Sequence, residues 1–177
     1  IVDFRAIDDF TIIGRTRDDA AGEAFDKTAK LLNLGYPGGP VIDKIAKNGD
    51  SKFHRFPRAL NQKDEYDFSF SGLKTSVKNY VQSKNEEFLK QHLADIVASV
   101  QMAIVDSLVT KTINYAKKSG AKNIIVAGGV SANSLLRKKM EEASFGIGCN
   151  VFVPPLKYCM DNAAMIGAAA IEKYERK

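Results

Sequence analysis

The segment from residue 123 to residue 142 constrains the fold more than any other part of the sequence, because the hydrophobic period changes there. Residues 86–118 before it have a helical composition. Residues 124–126 are then a continuous apolar run, which is typical of a strand covered on both faces. Gly128-Gly129 follows, and a helix is predicted to about Glu142. A strand, a glycine pair and a helix predict an α/β layer architecture.

The rest of the pattern extends this architecture to the order β-β-α, a helical insertion, then α-β-α-β-α. Residues 1–7 alternate in polarity and predict a half-buried strand, paired as a hairpin with residues 10–13. A helix follows Asp18-Asp19, with Gly35 as its predicted left-handed cap. Ser71 is the predicted cap of a later helix. Small residues in the last helix, from Asp161 to Tyr174, predict close packing against a sheet.

Composition limits the class of protein. The chain has 177 residues, of which 45% are hydrophobic and 27% charged, as in one globular domain and not in a disordered tail or coiled coil. No apolar run reaches the ~20 residues that cross a bilayer, and residues 1–10 lack a signal-peptide core. We therefore expect a cytoplasmic protein without membrane contact. The chain does not begin with methionine, so we expect the natural protein to start earlier.

The net charge and the two cysteines do not identify a function. The formal net charge of +5 is compatible with an RNA or nucleotide partner but does not demand one. Cys149 and Cys159 lack the CxxC spacing of a zinc or redox site, so two reduced thiols are expected. Lys117-Lys118-Lys122 and Arg137-Lys138-Lys139 are interpreted as solvated faces, with a phosphate-binding surface as the alternative.

Three loops are predicted at the carboxyl ends of strands, where open α/β sheets bind ligands: residues 14–22, 128–133 and 154–162. Gly128 and Gly129 would let backbone approach a nucleotide at a helix start, or form a plain strand-to-helix turn. Asn133 could bind a base or ribose, or cap its own helix.

Four further positions have both a functional and a structural interpretation. Asp26 and Gly22 are unfavourable inside a helix, which indicates either a ligand or close packing with a solvated carboxylate. Gly39, in the segment YPGGP, would expose backbone amides to a ligand or form an ordinary turn. Asp43 lies on the next helical turn, where it could face the same ligand or interact with the helix dipole.

Asp161 is a candidate metal ligand or, with Asn162, an N-cap. His54 and His92 lack metal-ligand spacing and are not expected to bind a metal. No Ser-His-Asp set is indicated.

Six ordered segments together are similar to one family: DDAAGEAFDK, LGYPGGPVIDKIA, FPRAL, DFSFSGLKT, VAGGVSAN and PPLKYCMDNAAMIG. They resemble the carboxyl-terminal half of the TsaD (Gcp, YgjD) family of tRNA N6-adenosine threonylcarbamoyltransferases. The resemblance spans residues 10–172 and implies an α/β fold of the actin, Hsp70 and sugar-kinase (ASKHA) group. Residues 1–177 would form its second, ribonuclease-H-like lobe without the first strand, with a helical insertion at about 36–90. The first lobe would be absent from this chain.

The resemblance also implies an activity, an acyltransferase reaction in N6-threonylcarbamoyladenosine (t6A) biosynthesis. The threonylcarbamoyl group would move from threonylcarbamoyl-AMP to N6 of the adenosine next to the anticodon of tRNA. By position, the substrate-binding residues would be Asp26, Gly39, Asp43 and Asn133, the nucleotide loop Gly128 and Gly129, and the metal ligand Asp161.

The same resemblance implies further components. The family's metal, iron or zinc, has two histidine ligands in the first half, which this sequence lacks. A paralogous TsaB-type subunit and a TsaE-type ATPase would be partners. No residue is identified as a general base. The chain alone is expected to be inactive.

Three alternatives remain open at this point. A metalloprotease is the family's older description, although the sequence has no HExxH motif. A non-catalytic nucleotide-binding or scaffolding module is a second. An ATP-hydrolysing or sugar-kinase relative is a third, and it would need a phosphate-side loop that this sequence lacks.

Overall fold

The fold was analysed in a computed structural model that describes residues 1–176. The strands are β1 (Val2–Ala6), β2 (Asp9–Ile12), β3 (Asn123–Ile125) and β4 (Asn150–Phe152). The helices are α1 (Ala21–Leu31), α2 (Gly38–Ala46), α3 (Ser71–Gln82), α4 (Glu86–Gln91), α5 (Leu93–Ser119), α6 (Ser134–Phe145) and α7 (Ala163–Glu175). Short 3₁₀ turns span Gly129–Ala132 and Leu156–Tyr158. The helical composition of residues 86–118 is confirmed: the segment forms a short helix, α4, and the long helix α5, which ends at Gly120 (φ 70°).

The strands form two small sheets. β1 and β2 pair antiparallel, as predicted for the hairpin. β3 and β4 pair parallel, with Ile124 opposite Val151, and α6 connects them. Within residues 1–176 the two pairs do not share a sheet. The predicted α/β class is therefore confirmed as a mixed fold with small sheets and a helical majority.

Helix α5 is the centre of the fold. Its first half packs with α1, α2 and α3, where Ile96, Val100 and Ile104 are fully buried. Its second half packs with β3 and α6, where Ile113 and Met140 are buried. By length and composition alone this 27-residue helix could cross a membrane, which corrects the expectation that no apolar segment is long enough. More than half of its most apolar stretch is buried, as in the core helix of a globular protein.

Helices α1 and α2 are in backbone contact. Phe25 and Ile42 are buried between them and α5. A Cβ atom on Gly38 would lie 2.7 Å from the Cα of Asp26 and 2.8 Å from the Phe25 carbonyl oxygen. Only glycine permits this approach, because both neighbouring atoms belong to backbone.

Two predicted helix ends are wrong in detail. Asn33 (φ 53°) is the left-handed cap of α1, because the Leu34 amide directly after it donates to the Ala29 carbonyl. Gly35, the predicted cap, also has a positive φ (95°) but lies two residues further on. Ser71 lies inside α3 and does not cap it, because its hydroxyl donates to Asp18 instead. A side chain from a distant segment has replaced the local cap.

Several apolar faces are exposed where burial was predicted. Val2 and Phe4 are more than half exposed, and the side chain of Ile125 is 69% exposed, so β3 is covered on one face only. None of the described α7 residues is buried, although its small residues predicted close packing. The patterns correctly mark apolar faces, but no element of residues 1–176 covers them.

Candidate functional site

Two hydrogen-bonded residue pairs, each far apart in the sequence, bring four of the predicted site positions together. The Gly38 amide donates to Asp26 Oδ1 at 2.7 Å, which places the carboxylate beside Gly39 at the start of α2. Both the amide and the hydroxyl of Ser134 donate to Asp43 Oδ1, at 3.1 and 2.8 Å, which places Asp43 beside Asn133. Helices α1, α2 and α6 therefore meet at one corner. We call these residues, Asp26, Gly39, Asp43 and Asn133, the carboxylate corner.

The carboxylate corner has, among the described residues, unpaired oxygen atoms and accessible backbone, which suit a polar ligand. Asp26 and Asp43 each use only Oδ1 in these bonds, and within residues 1–176 neither Oδ2 atom has a hydrogen-bond partner. A Cβ on Gly39 would meet no atom within 4 Å, so open space lies in front of its backbone. Two carboxylate oxygens and an accessible backbone can bind hydroxyl or amide groups.

The glycine loop lies next to this corner. Gly128 (φ 86°) and Gly129 are exposed, and the 3₁₀ turn that Gly129 begins packs against α1, where a Cβ on Gly22 would lie 3.5 Å from Val130. The helix predicted directly after the glycines starts later, at Ser134. A Cβ atom at Gly22 would make an ordinary van der Waals contact there, so the predicted close-packing role of Gly22 stays a prediction.

Asn133 is used structurally in this arrangement. Its Oδ1 accepts from the Leu136 amide at 2.9 Å and so caps α6, while its Nδ2 donates to Gln101 Oε1 at 2.9 Å. The residue is 7% exposed. One amide hydrogen and one lone pair remain for a ligand.

Arg137 joins the two loops that follow the parallel strands. Its Nε donates to the Ser131 carbonyl at 2.6 Å, and its Nη2 donates to the Pro154 carbonyl at 3.0 Å and to Cys159 Sγ at 3.2 Å. The interpretation of Arg137 as solvated is wrong, because its fork of donors reaches both loops at once. Sequence alone offered no signal for this, since Lys138 beside it is solvated as predicted.

Sequence predicted Asp18 at the start of α1, but in the structure its carboxylate contacts the start of α3. Its Oδ2 accepts from the hydroxyls of Ser69 (2.5 Å) and Ser71 (2.6 Å), and its Oδ1 from the Phe70 amide (2.8 Å). Desolvation alone would raise the pKa of Asp18, but these hydrogen bonds together hold it well below its usual value. The carboxylate thus fastens the segment before α1 to the start of α3.

Asp161 lies apart from these contacts. Its side chain is exposed, and the N-cap of α7 is Asn162, whose Oδ1 accepts from the Met165 amide at 3.0 Å. Within residues 1–176 no three His, Cys, Asp or Glu side chains gather as a metal site. His54 stacks with Tyr80, and His92 with Phe53, in aromatic clusters.

The comparisons with known proteins identify the family. A model of the family "TsaD: tRNA N6-adenosine threonylcarbamoyltransferase" matches residues 1–168, which is nearly the whole chain. This chain belongs to the TsaD family. The resemblance carried by the six segments is therefore confirmed.

Curated relatives of this TsaD-family chain bear the name tRNA N6-adenosine threonylcarbamoyltransferase. That of Prosthecochloris aestuarii is 55% identical, over 94% of this chain and 51% of the relative. That of Pelodictyon phaeoclathratiforme is 54% identical, over 94% and 50%. That of Kosmotoga olearia is 51% identical, over 94% and 49%. The chain spans about half the length of the curated relatives it matches.

Solved structures also show a similar fold. The crystal structure of T. kodakarensis HypF superposes with a TM-score of 0.65 over 88% of this chain and 20% of that chain, at 23% sequence identity. At this identity the likeness shows the fold alone.

Proposed function

We propose that this chain is the substrate-binding half of a tRNA N6-adenosine threonylcarbamoyltransferase. The observation that carries the proposal is the carboxylate corner, because positions far apart in the sequence, which the family resemblance assigns to one substrate, meet there through two hydrogen-bonded pairs. The family match over residues 1–168 supports the same activity.

The reaction is an acyl transfer. The N6 amine of adenosine attacks the carbamoyl carbon of threonylcarbamoyl-AMP, a C–N bond forms, and the bond from that carbon to the phosphate oxygen breaks. AMP leaves, and N6 loses one proton. The amine is a weak nucleophile, so the protein's main task is to hold both reactants in an attacking geometry.

Each residue of the carboxylate corner has a part in that task. The Oδ2 atoms of Asp26 and Asp43 would accept hydrogen bonds from hydroxyl groups of the adenylate. The open space at Gly39 would admit the ligand to backbone distance, and Gly128 and Gly129 would do so on the nucleotide side. Asn133 would contribute its remaining amide hydrogen. None of these groups is assigned as the general base.

The described residues do not by themselves fit the family's metal, because Asp161 has no second and third donor beside it within residues 1–176. Asp161 therefore stays a predicted single ligand, which needs donors from the remainder of the protein.

The tRNA substrate and the TsaB-type and TsaE-type partners also belong to this proposal, as does a cytoplasmic location.

We propose as well that residues 1–177 form the second ASKHA lobe, with residues 36–90 as its helical insertion. The two separate sheets are compatible with this assignment, because a lobe that lacks its first strand need not have one continuous sheet. Tyr115 on α5 donates to Asp3 Oδ2 at 2.9 Å and so holds β1 on the same helix that leads into β3. The likeness to HypF agrees with such a lobe.

The proposal is tested with the full-length protein that contains this chain. Transfer of labelled threonine from threonylcarbamoyl-AMP to unmodified tRNA is measured for wild type, Asp26→Asn and Asp43→Asn. Each asparagine keeps an oxygen for the Gly38 or Ser134 bond and removes the charge, so we expect normal folding and about a tenfold or greater loss of kcat/KM.

Asp8→Asn is the control, because Asp8 is exposed in the turn of the hairpin. Wild-type protein that transfers no threonylcarbamoyl group, or corner variants as active as Asp8→Asn, would contradict the proposal.

A further inference from the structure

An exposed aromatic ring lies beside the carboxylate corner and has no role so far. Tyr36 is 84% exposed, and within residues 1–176 its ring stacks on no other aromatic side chain. It stands two residues before Gly38, whose amide is bonded to Asp26. Phe145 (89% exposed) and Tyr174 (80% exposed) are as exposed as Tyr36, so what distinguishes Tyr36 is its position beside the carboxylate corner.

The ring borders an open depression on the outside of α1 and its following loop. The depression is lined by Asp26, Lys27, Lys30, Asn33, Gly35 and Tyr36. Asp26 belongs both to this depression and to the carboxylate corner, so the two surfaces are continuous. A ligand chain that enters the corner over α1 would pass Tyr36.

The two lysines of the depression differ in what they contact. Lys27 Nζ is held by Asp19 at 2.5 Å and by Glu23 at 2.7 Å. Lys30 is exposed, and among the ion pairs and hydrogen bonds of residues 1–176 it has no partner. Lys30 therefore supplies a free cation on the same surface as the Tyr36 ring.

We propose that Tyr36, Lys30 and Asn33, which we call the Tyr36 surface, bind a single-stranded segment of RNA at the entrance to the carboxylate corner. An exposed ring and a free cation are the two elements of single-strand recognition: the ring stacks on a base and the cation contacts a phosphate. Asn33 adds a side-chain amide that can bind a base edge. The net charge of +5 is compatible with an RNA strand at this surface.

This inference rests on the proposed function and extends it, because it assigns the RNA strand next to the reacting adenosine to named residues. The direct test uses the absence of tryptophan from the sequence. Tyr36→Trp introduces a tryptophan on the Tyr36 surface, and Tyr174→Trp introduces one on α7, where Tyr174 is 80% exposed; each is the only tryptophan within residues 1–177 and is excited apart from the tyrosines. The probe is an unmodified anticodon stem-loop RNA, added at low salt to the full-length protein that contains this chain, and the signal of the wild-type protein is subtracted.

We expect the RNA to quench the tryptophan at position 36 and to leave that at position 174 unchanged. Binding by Tyr36→Ala should be about tenfold weaker than wild type, and Tyr36→Phe should restore it, since the ring does the stacking. Lys30→Ala should reduce the slope of log K against log salt by about 0.7, the value for one single-strand phosphate contact. Lys90→Ala, an exposed lysine on α4, is its control.

The outcomes separate this inference from the proposed function. If wild type binds the stem-loop and Tyr36→Ala binds it equally well, the Tyr36 surface is wrong and the proposed function stands. Equal quenching by AMP alone, or by a stem without its single-stranded loop, also overturns the inference. If the wild-type protein binds no RNA, the inference fails and the tRNA substrate of the proposed function loses support.

Discussion

The carboxylate corner and the carboxyl-terminal segment, residues 154–175, differ in how much of their environment this chain supplies. The corner is held by the Asp26–Gly38 and Asp43–Ser134 hydrogen bonds and stands on the buried side chains of Phe25 and Ile42. In the segment, Arg137 contacts the first residues, and beyond them none of the described α7 residues is buried. The comparison shows that Asp26 and Asp43 are held in place by contacts within the chain, while Asp161 lies where the chain supplies little support.

The largest expected difference between the two regions is in core packing. Phe25→Ala removes a ring that is 1% exposed and should lower the free energy of unfolding by about 3–5 kcal/mol. Ile166→Ala, at a side chain 63% exposed on α7, should change it by less than about 0.5 kcal/mol. Urea denaturation of the two variants measures this, and equal losses would show that α7 is packed in solution.

The next largest effect on stability distinguishes two adjacent glycines at the start of α2, Gly38 and Gly39. Gly38→Ala places a methyl group 2.7 Å from the Asp26 Cα and should cost about 3 kcal/mol, because neither backbone can move freely. Gly39→Ala meets open space and should leave stability unchanged or slightly raised. Thermal unfolding checks both variants.

Gly39→Ala also tests the ligand. If the adenylate approaches this backbone, the alanine weakens binding of threonylcarbamoyl-AMP in a stable protein. Unchanged binding, measured by calorimetry, would remove Gly39 from the site.

Arg137 connects the loop beside the carboxylate corner to the carboxyl-terminal segment, so its removal should affect the less supported segment more. Arg137→Met breaks the bonds to Ser131, Pro154 and Cys159 and should cost about 2 kcal/mol, because charged hydrogen bonds are lost. Amide hydrogen exchange should rise most in residues 154–160. Lys138→Met is the control, and a uniform rise in exchange would argue against a local connection.

The smallest expected effect is a pH dependence confined to the packed region. Burial first, and then the nearby charge of Lys84, lower the pKa of His54 from its ordinary value of 6.5. The fold therefore favours the neutral ring. Stability is full above about pH 6.5 and falls as the pH drops below it, because the unfolded chain binds the proton more readily.

His54→Phe should flatten this dependence between about pH 7 and pH 5.5, by less than about 1 kcal/mol. Urea midpoints at the two pH values measure it. An unchanged slope in the variant would assign the dependence to other groups.

Sequence predicted the order of helices and strands better than it predicted the long-range contacts between them. The periodicity located α5, the hairpin and the β3–α6–β4 unit, because these depend on neighbours within a few positions. It placed Asp18 on its own helix and Arg137 in solvent, because both contact partners far away in the sequence. No local pattern distinguishes Arg137 from the solvated Lys138 beside it.

What the sequence determined by itself is the family, the order of helices and strands, and the presence of apolar faces on the hairpin and α7, since these follow from residue identity and spacing. Only the tertiary structure decided that α1 and α2 touch at Gly38, that Asp43 meets Ser134, and that Asn133 caps α6. The reason is physical. A hydrogen bond between residues 91 positions apart depends on where α5 places both partners, and that is a property of packing and not of either segment alone.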